Sequence, residues 1–223
     1  MPKAVLLDID GTLVASNDAH ARAWAEALQQ FGFTVPETQI RRWIGMGGDK
    51  ILPRVDPNLS DGTEPGKSIT QLRQDLFLER YLPHLKPTPG AVELLDRFAG
   101  DGLLRVAATS ANKTELDAIA DVSGLARYLD ARTTSDDADR SKPDADIIEA
   151  ALSKAKVDRT QSFYLGDTPY DVEAAHRAKL PIIALRCGGW TQAELAAAEA
   201  VFDTPADILA DYERALRTVG SQR

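Results

Sequence analysis

Near its start the chain reads Ala4-Val5-Leu6-Leu7-Asp8-Ile9-Asp10-Gly11-Thr12, four apolar residues followed by an acidic turn. A short apolar run that ends in such a turn is typical of a buried strand of a parallel sheet. Three later runs have the same character, at residues 103–108, 162–165 and 182–185, and a helical pattern follows each of them. Strands that alternate with helices favour parallel pairing and right-handed crossovers. The sequence therefore predicts an α/β fold with a doubly wound parallel sheet.

The stretch between the first two predicted strands carries no strand signal. Its apolar periodicity predicts helices at residues 16–31, 36–44, 49–55 and 69–82. Pro83, Pro87 and Pro89 then mark the return to the alternating pattern. We therefore predict a helical cap domain at residues 16–86, inserted into a catalytic core formed by residues 1–15 and 87–223. Residues 14–16 and 86–89 are the predicted hinges.

The composition limits the classes of partner. The 223 residues include 26 basic and 34 acidic side chains, a net charge of −8, which argues against a broad nucleic-acid surface. The single cysteine, Cys187, cannot form an internal disulfide, which favours a reducing compartment. No apolar run approaches the length of a membrane span or of a signal peptide. We expect a cytoplasmic protein with no nucleic-acid or membrane partner; its oligomeric state stays open.

Residues whose side chains can bind ligands or take part in catalysis follow the predicted strands. In open α/β sheets, ligands bind beyond the carboxyl ends of the strands, so these positions should converge on one crevice. They are the acids Asp8, Asp10, Asp167 and Asp171, the hydroxyls Thr109 and Ser110, and Lys142, which stands ahead of a predicted helix.

Several carboxylates in one partly dry crevice must protonate or find a cation. Lys142 supplies one positive charge, which is insufficient for four acids. A divalent ion resolves the conflict, and an all-oxygen ligand set favours Mg²⁺ over zinc. Magnesium also neutralises phosphate oxygens, so the pattern points to phosphoryl transfer.

Four segments of the chain resemble the four motifs of the haloacid dehalogenase superfamily, in the expected order and across almost the whole chain. The branch with phosphoglycolate phosphatase and β-phosphoglucomutase, whose members carry a helical cap after the first motif, is the most similar. The resemblance implies a Rossmann-type core with that cap. The segments are Asp8-Ile-Asp-Gly-Thr12, Thr109-Ser110, Lys142-Pro143 and Gly166-Asp-Thr-Pro-Tyr-Asp171.

The resemblance also implies roles for the first motif. Asp8 is the nucleophile that accepts the phosphoryl group, and it binds Mg²⁺ through one carboxylate oxygen. The backbone carbonyl of Asp10 binds the same ion. The Asp10 side chain protonates the leaving oxygen and then activates the water that hydrolyses the aspartyl-phosphate.

For the other motifs, the resemblance implies that Thr109, Ser110 and backbone N–H groups near Gly11 hold phosphoryl oxygens. Lys142 bridges the phosphate and Asp8 and stabilises charge in the transition state. Asp167 is a metal ligand. Asp171 either contacts the ion through a bound water or orients the residues that bind the ion.

An aspartate at position 10 favours phosphoryl chemistry, because haloacid dehalogenases of this superfamily lack an acid there. We therefore expect a Mg²⁺-dependent phosphatase that acts on a small phosphorylated metabolite, phosphoglycolate or a sugar phosphate. A sugar-phosphate mutase and a non-catalytic binding module with the same fold stay open as alternatives. Glycines fill the loop after the second cap helix, where a mutase of this type places an arginine for a second phosphate.

Some residues have both a functional and a structural interpretation. Lys50, in the loop between cap helices, is a candidate for binding substrate anions, although an exposed helix charge has the same sequence pattern. For His20 and Trp24, four residues apart on the first cap helix, packing is the favoured interpretation. Cys187 is interpreted as a small packed residue.

Overall fold

The structure, a computed structural model, describes residues 2–220. Its six strands form one sheet in the order β3-β2-β1-β4-β5-β6, and every neighbouring pair is parallel. The predicted α/β class with a doubly wound sheet is confirmed. The strands are β1 (Ala4–Leu7), β2 (Leu104–Ala108), β3 (Ala131–Thr133), β4 (Ser162–Gly166), β5 (Ile182–Leu185) and β6 (Ala200–Phe202).

The central strand shows why both faces of the sheet are covered. Successive side chains of a strand point to opposite faces. Val5 and Leu7 of β1 pack into the apolar cluster on one face, and Leu6 packs into a separate cluster on the other face. All four residues of β1 are fully buried, which is the pattern of a strand between two helical layers.

Helices of the core cover these two faces. Side chains of α5, α6, α9 and α10 join the cluster that contains Val5, and those of α7 and α8 join the cluster that contains Leu6. These helices are α5 (Ala91–Gly100), α6 (Lys113–Val122), α7 (Asp146–Ala155), α8 (Pro169–Arg177), α9 (Pro205–Ala210) and α10 (Tyr212–Gly220).

Four helices lie between β1 and α5, as the periodicity predicts. The last of them continues without a break into a π-helical turn at Phe77–Tyr81 and a 3₁₀ turn at Leu82–His84. The four are α1 (Asn17–Gln30), α2 (Glu37–Arg41), α3 (Gly48–Val55) and α4 (Gly66–Leu76). None of the helices within residues 2–220 combines the length and the apolar character that a membrane crossing requires.

The chain enters and leaves this helical stretch at one place. The Ala15 N–H donates to the Lys86 carbonyl at 3.0 Å, and the Thr88 N–H donates to the Leu13 carbonyl at 2.9 Å. The Thr88 hydroxyl also donates to the Thr12 carbonyl at 2.7 Å. The two predicted hinge segments therefore lie side by side, directly behind the acidic turn. The division into a cap at 16–86 and a core stays a prediction.

Candidate active site

Four side chains from separate segments of the core form what we call the acid cluster: Asp8, Lys142, Asp167 and Asp171. The Lys142 ammonium lies 2.6 Å from Asp8 Oδ1 and 2.8 Å from Asp171 Oδ1. All four residues are at most 2% exposed. The side chains that the sequence analysis brought together from the ends of β1 and β4 and from the segment before α7 therefore meet in one buried site.

The loop after β1 supplies the contacts that fix the cluster. The Thr12 hydroxyl lies 2.8 Å from Asp167 Oδ1 and 3.3 Å from Asp8 Oδ2, so it links two carboxylates. Gly11 has φ of +81°, and a Cβ there would lie 2.4 Å from Asp167 Oδ2. Only glycine combines that backbone conformation with so close an approach.

The first helix of the predicted cap also reaches the cluster. Asn17, the first residue of α1, donates from its amide to Asp167 Oδ2 at 3.0 Å. Its carbonyl oxygen Oδ1 is buried and has no hydrogen-bond partner in the described part of the chain. The orientation of the Asp167 carboxylate therefore depends on a residue outside the core motifs.

Asp171 is held by the start of α8. Its Oδ2 accepts from the Thr168 N–H at 2.9 Å and from the Thr168 hydroxyl at 2.7 Å, while its own N–H donates to that hydroxyl. This reciprocal capping arrangement fixes the first turn of the helix. With Oδ1 on Lys142, the Asp171 carboxylate orients the lysine as well as the helix.

The charges of the cluster are not balanced. Burial raises the pKa of Asp8 to about 7, and the Lys142 ammonium only partly opposes the effect. Burial and the neighbouring Asp8 and Asp171 also raise the pKa of Asp167 well above its usual value. For Lys142, burial favours the neutral amine, but Asp171 and Asp8 outweigh it and raise the pKa, so the lysine stays charged.

The donor set fits a magnesium ion. Asp8, Asp167 and Asp171 each offer a carboxylate oxygen, and these oxygens lie within 4.8 Å of one another. Three buried carboxylates face one ammonium, so a divalent cation would supply the missing positive charge. Hard oxygen ligands of this kind suit Mg²⁺. Two of the three predicted ligands, Asp8 and Asp167, are in this group, and the third, the backbone carbonyl of Asp10, stays a prediction. Asp171, which was predicted to support the ion less directly, also offers a carboxylate oxygen here.

The Asp10 side chain contacts the start of α1. Its Oδ1 accepts from the Ser16 hydroxyl at 2.5 Å and lies 2.8 Å from His20 Nε2. Burial alone would raise the pKa of Asp10, but His20 and the Ser16 hydrogen bond outweigh it and hold the pKa below its usual value. The His20 ring stacks on Phe77 with 4.0 Å between ring centroids, which fixes its orientation.

His20 is the functional side chain that the sequence analysis missed, since packing was the favoured interpretation. The structure gives it both roles: it is buried against Phe77, and it is a direct partner of Asp10. A signal was present, because Ser16 and His20 are four residues apart and so share one face of the segment that leaves the acidic turn.

A cavity opens above these residues and encloses about 460 Å³, the solvent at its mouth included. Its wall contains Asp8, Asp10, Thr109, Ser110 and Lys142 from the core motifs, together with side chains of the predicted cap. Thr109 is 1% exposed and accepts from the Ala111 N–H, which orders the turn after β2. The remaining wall residues are His20, Trp24, Ile44, Gly45, Met46, Gly47, Gly48, Arg73, Ala111 and Glu115.

Two predicted phosphate-binding groups, Ser110 and the Gly11 N–H, hydrogen-bond to backbone carbonyls of the protein. The Ser110 hydroxyl donates to the Gly45 carbonyl at 3.3 Å, so it ties the turn after β2 to the glycine-rich loop of the predicted cap. The Gly11 N–H donates to the Val14 carbonyl at 2.7 Å, within its own loop. Gly11 is not part of the cavity wall, which argues against its N–H as a direct phosphate contact.

Lys50 also lies away from the cavity wall. Its ammonium pairs with the Asp144 carboxylate at 2.8 Å, which joins α3 to the segment after Lys142. This contact argues against the substrate-binding role considered for Lys50 and favours a structural one.

Cys187 is a packed residue in the structure. Its thiol lies 3.2 Å from the Gly11 carbonyl, and burial raises its pKa to about 12. Such a thiol is not a nucleophile near neutral pH.

Gly188 closes the back of the site. A Cβ at this position would lie 1.7 Å from Asp167 Oδ2, so any other residue would displace that carboxylate. Its carbonyl accepts from the Asn17 amide at 3.4 Å and from the Arg41 guanidinium. The loop after β5 therefore touches both the acid cluster and the predicted cap.

Several proteins are similar to this chain in sequence or in structure. Phosphoglycolate phosphatase of Rhodospirillum rubrum is 29% identical over 195 residues, which cover 84% of this chain and 81% of that protein. A solved hydrolase structure from Pseudomonas syringae is 29% identical, has a TM-score of 0.88 and covers 95% and 98% of the two chains. A protein from Bacteroides vulgatus, provisionally named β-phosphoglucomutase, is 25% identical with a TM-score of 0.86 and coverages of 98% and 90%.

The family model for haloacid dehalogenase-like hydrolases matches residues 5–185, from the first strand to the end of β5. This span includes all four motifs that carried the resemblance, and it covers well over half of the chain. The predicted family, its phosphoglycolate phosphatase and β-phosphoglucomutase branch, and the predicted class of hydrolase are confirmed. The chain belongs to the haloacid dehalogenase-like hydrolase family.

Proposed function

We propose that this chain is a magnesium-dependent phosphatase that hydrolyses a small phosphorylated metabolite through a phosphoryl group carried on Asp8. The observation that carries the proposal is the separation of two neighbouring carboxylates. Asp8 lies in the acid cluster 2.6 Å from the Lys142 ammonium, whereas Asp10 turns to His20 at 2.8 Å. This separation supports nucleophilic attack by Asp8 and proton transfer by Asp10.

In the first step, an Asp8 oxygen attacks phosphorus, the new oxygen–phosphorus bond forms, and the ester bond to the alcohol breaks. Lys142 balances the charge that develops on the transferred group, and the Thr109 hydroxyl and nearby backbone bind its oxygens. Bound magnesium would neutralise phosphoryl oxygens at the carboxylates of Asp8, Asp167 and Asp171.

The proton for the leaving alcohol comes from the side of Asp10. Because the Asp10 pKa is held low, its carboxylate is ionised in the resting site near neutral pH. His20 Nε2 lies 2.8 Å from Asp10 Oδ1, so it is the neighbouring group that can pass a proton to Asp10, and the approach of the phosphate dianion favours protonation of Asp10. In the second step, Asp10 accepts a proton from water as the water oxygen attacks phosphorus and releases Asp8.

The predicted cap would control when water enters. Cavity wall residues come both from the strand ends and from residues 16–86, so movement of that segment would open the site. The paired chain crossings near Leu13 and Thr88 are the natural hinge. Closure would exclude bulk water during transfer, and opening would release the alcohol.

The direct test is phosphate release from a panel of phosphate monoesters, with Mg²⁺ and with a chelator in its place. We expect one phosphate per ester consumed, and turnover that disappears with the chelator and returns with added Mg²⁺. Absence of turnover on every ester, an aryl phosphate included, would contradict the proposal and favour a non-catalytic binding module.

A sugar-phosphate mutase is the second candidate, because one of the similar structures carries that name provisionally. A mutase would convert one sugar phosphate into its isomer without net release of phosphate. Quantifying isomer and free phosphate in the same reaction separates the two activities.

A further inference from the structure

The cavity wall beyond the reacting groups carries a second charge arrangement. We call it the leaving-group wall and define it by Trp24, Arg73, Glu115 and the loop at residues 44–48. A substrate whose phosphorus lies at Asp8 would present its alcohol part to this wall. The charges of the wall therefore select the alcohol.

Arg73 and Glu115 form a close ion pair within the wall. The Arg73 Nη1 lies 2.8 Å from Glu115 Oε1 and 2.9 Å from Oε2. The two side chains are only 11% and 1% exposed, and the Arg73 guanidinium lies over the Trp24 ring at 5.1 Å. Asn112 also fixes the backbone of Glu115, whose N–H donates to the Asn112 side chain at 2.9 Å. The one cation of the leaving-group wall is thus neutralised by a buried carboxylate.

No other cation is available to a second anionic group of the substrate. Among the described residues that line the cavity, the other basic side chains are Lys142 and His20, and each already faces a carboxylate. An anionic alcohol part would lie against Glu115 in a poorly hydrated site without a compensating charge, which is unfavourable.

The wall does offer groups that suit a neutral polar alcohol. The Arg73 Nε–H is buried and has no hydrogen-bond partner in the described part of the chain. A small rotation of the guanidinium towards the cavity would let a substrate hydroxyl oxygen accept from this N–H without bringing a charge. Trp24, Ile44 and Met46 supply apolar surface for the carbon skeleton.

We propose that the preferred substrate is a phosphate monoester of an uncharged, hydroxylated alcohol, such as a polyol or sugar monophosphate. Esters that carry a carboxylate or a second phosphate are disfavoured. This inference rests on the phosphatase activity proposed above and narrows its substrate class. Arg73 and Glu115 are its specificity determinants.

A matched pair of substrates tests the inference. Phosphoglycolate and 2-hydroxyethyl phosphate differ only by a carboxylate in place of a hydroxymethyl group. We expect kcat/KM of the wild-type enzyme to favour the hydroxyl ester by at least about tenfold, the scale of one unfavourable charge contact. A ratio of about one or below would overturn the inference. Turnover of p-nitrophenyl phosphate in the same experiment would show that the proposed phosphatase activity stands, and loss of all turnover would contradict that activity itself.

The variant Glu115→Gln tests whether the ion pair causes the preference. It keeps the shape of the side chain but leaves the Arg73 charge free for a substrate carboxylate. We expect the kcat/KM of phosphoglycolate relative to 2-hydroxyethyl phosphate to rise by at least about tenfold. The control Glu37→Gln removes the partner of Arg22 on the exposed surface and should leave the ratio unchanged.

Circular dichroism and a thermal melt establish whether Glu115→Gln is folded, and a folded variant with the wild-type ratio would overturn the inference. If Glu115→Gln does not fold, Arg73→Gln replaces it, since it leaves the Glu115 charge without its partner. A substrate carboxylate would then meet an uncompensated negative charge, so the preference for the hydroxyl ester should rise above the wild-type ratio. A folded Arg73→Gln protein with the wild-type ratio would overturn the inference.

Discussion

The two sides of the active site are built in different ways. In the acid cluster, core side chains hold one another: Lys142 lies on Asp8 and Asp171 at 2.6 and 2.8 Å, and all are buried. The predicted cap reaches the core through separate side-chain contacts, among them His20 on Asp10, Arg73 on Glu115 and Asn17 on Asp167. The difference supports the proposal that phosphoryl transfer belongs to the core side, whereas the predicted cap would position the proton donor and contact the alcohol.

The largest effect on activity should come from substituting Asp8, the proposed nucleophile on the core side of the site. We expect Asp8→Asn to lower kcat by at least about a thousandfold, because an amide cannot form the phosphoryl bond that the carboxylate forms. Phosphate release measures the effect, and Asp61→Asn in the exposed turn before α4 is the control. A folded Asp8→Asn protein with near wild-type turnover would contradict the assignment.

Magnesium should stabilise the core side in a pH-dependent way. Burial raises the Asp8 pKa from 3.8 to about 7, so the folded, metal-free protein binds a proton that the unfolded chain releases. The contribution of Asp8 to the stability of the metal-free protein therefore falls as the pH rises from about 4 towards about 7. Magnesium binds the ionised form of the carboxylates. Its binding would therefore offset this loss, by about 2–3 kcal/mol at a Mg²⁺ concentration of about a hundred times Kd.

Thermal melts with Mg²⁺ and with a chelator measure this stabilisation. The increase in Tm on adding Mg²⁺ should be larger at pH 8 than at pH 5.5. An equal increase at both pH values would contradict the role of the buried carboxylates.

A smaller effect should follow from breaking the cap side at His20. We expect His20→Ala to lower kcat by about 10- to 100-fold with little change in KM, because Asp10 loses its proton partner while the groups that bind phosphate stay in place. The pH dependence of kcat should also change. His84→Ala, an exposed histidine at the end of the same helical stretch, is the control, and equal effects of the two variants would contradict a specific role.

The smallest effect is expected at Lys50. Its ammonium pairs with Asp144 at the surface, and pairs of this kind contribute less than about 1 kcal/mol. We expect Lys50→Met to change kcat/KM by less than about fivefold, the factor that corresponds to about 1 kcal/mol, because Lys50 is not part of the cavity wall. A much larger rise in KM would restore the substrate-binding role considered from the sequence.

The difference between the core side and the cap side of the active site also explains what the sequence could and could not predict. Asp8, Asp10 and Asp167 follow apolar runs, and the carboxyl ends of parallel strands share one edge, so their convergence follows from the pattern. The edge strands β3 and β6 have only three residues each, too few to give a periodic signal. Arg73 and Glu115 are 42 positions apart on different helices, and no local pattern records such a contact.

The cap helices show the same limit. The predicted helix at 36–44 is shorter in the structure, Glu37–Arg41, because the chain turns into the glycine-rich loop that lines the cavity. His20 was placed correctly on α1, but periodicity assigns a face and not a partner. Its contact with Asp10 depends on how the helix lies against the core, which is a property of tertiary structure.

The lack of a side chain at Gly188 sets a condition for any attempt to transplant this chemistry. The four motifs end with Asp171, yet a side chain on a later loop, at position 188, would displace the Asp167 carboxylate that Thr12 and Asn17 hold in place. A minimal enzyme that was designed from the motifs alone, with a chain that ended after β5, would lack the Gly188 backbone beside the Asp167 carboxylate. Such a redesign would have to include residues 186–189 as part of the catalytic unit.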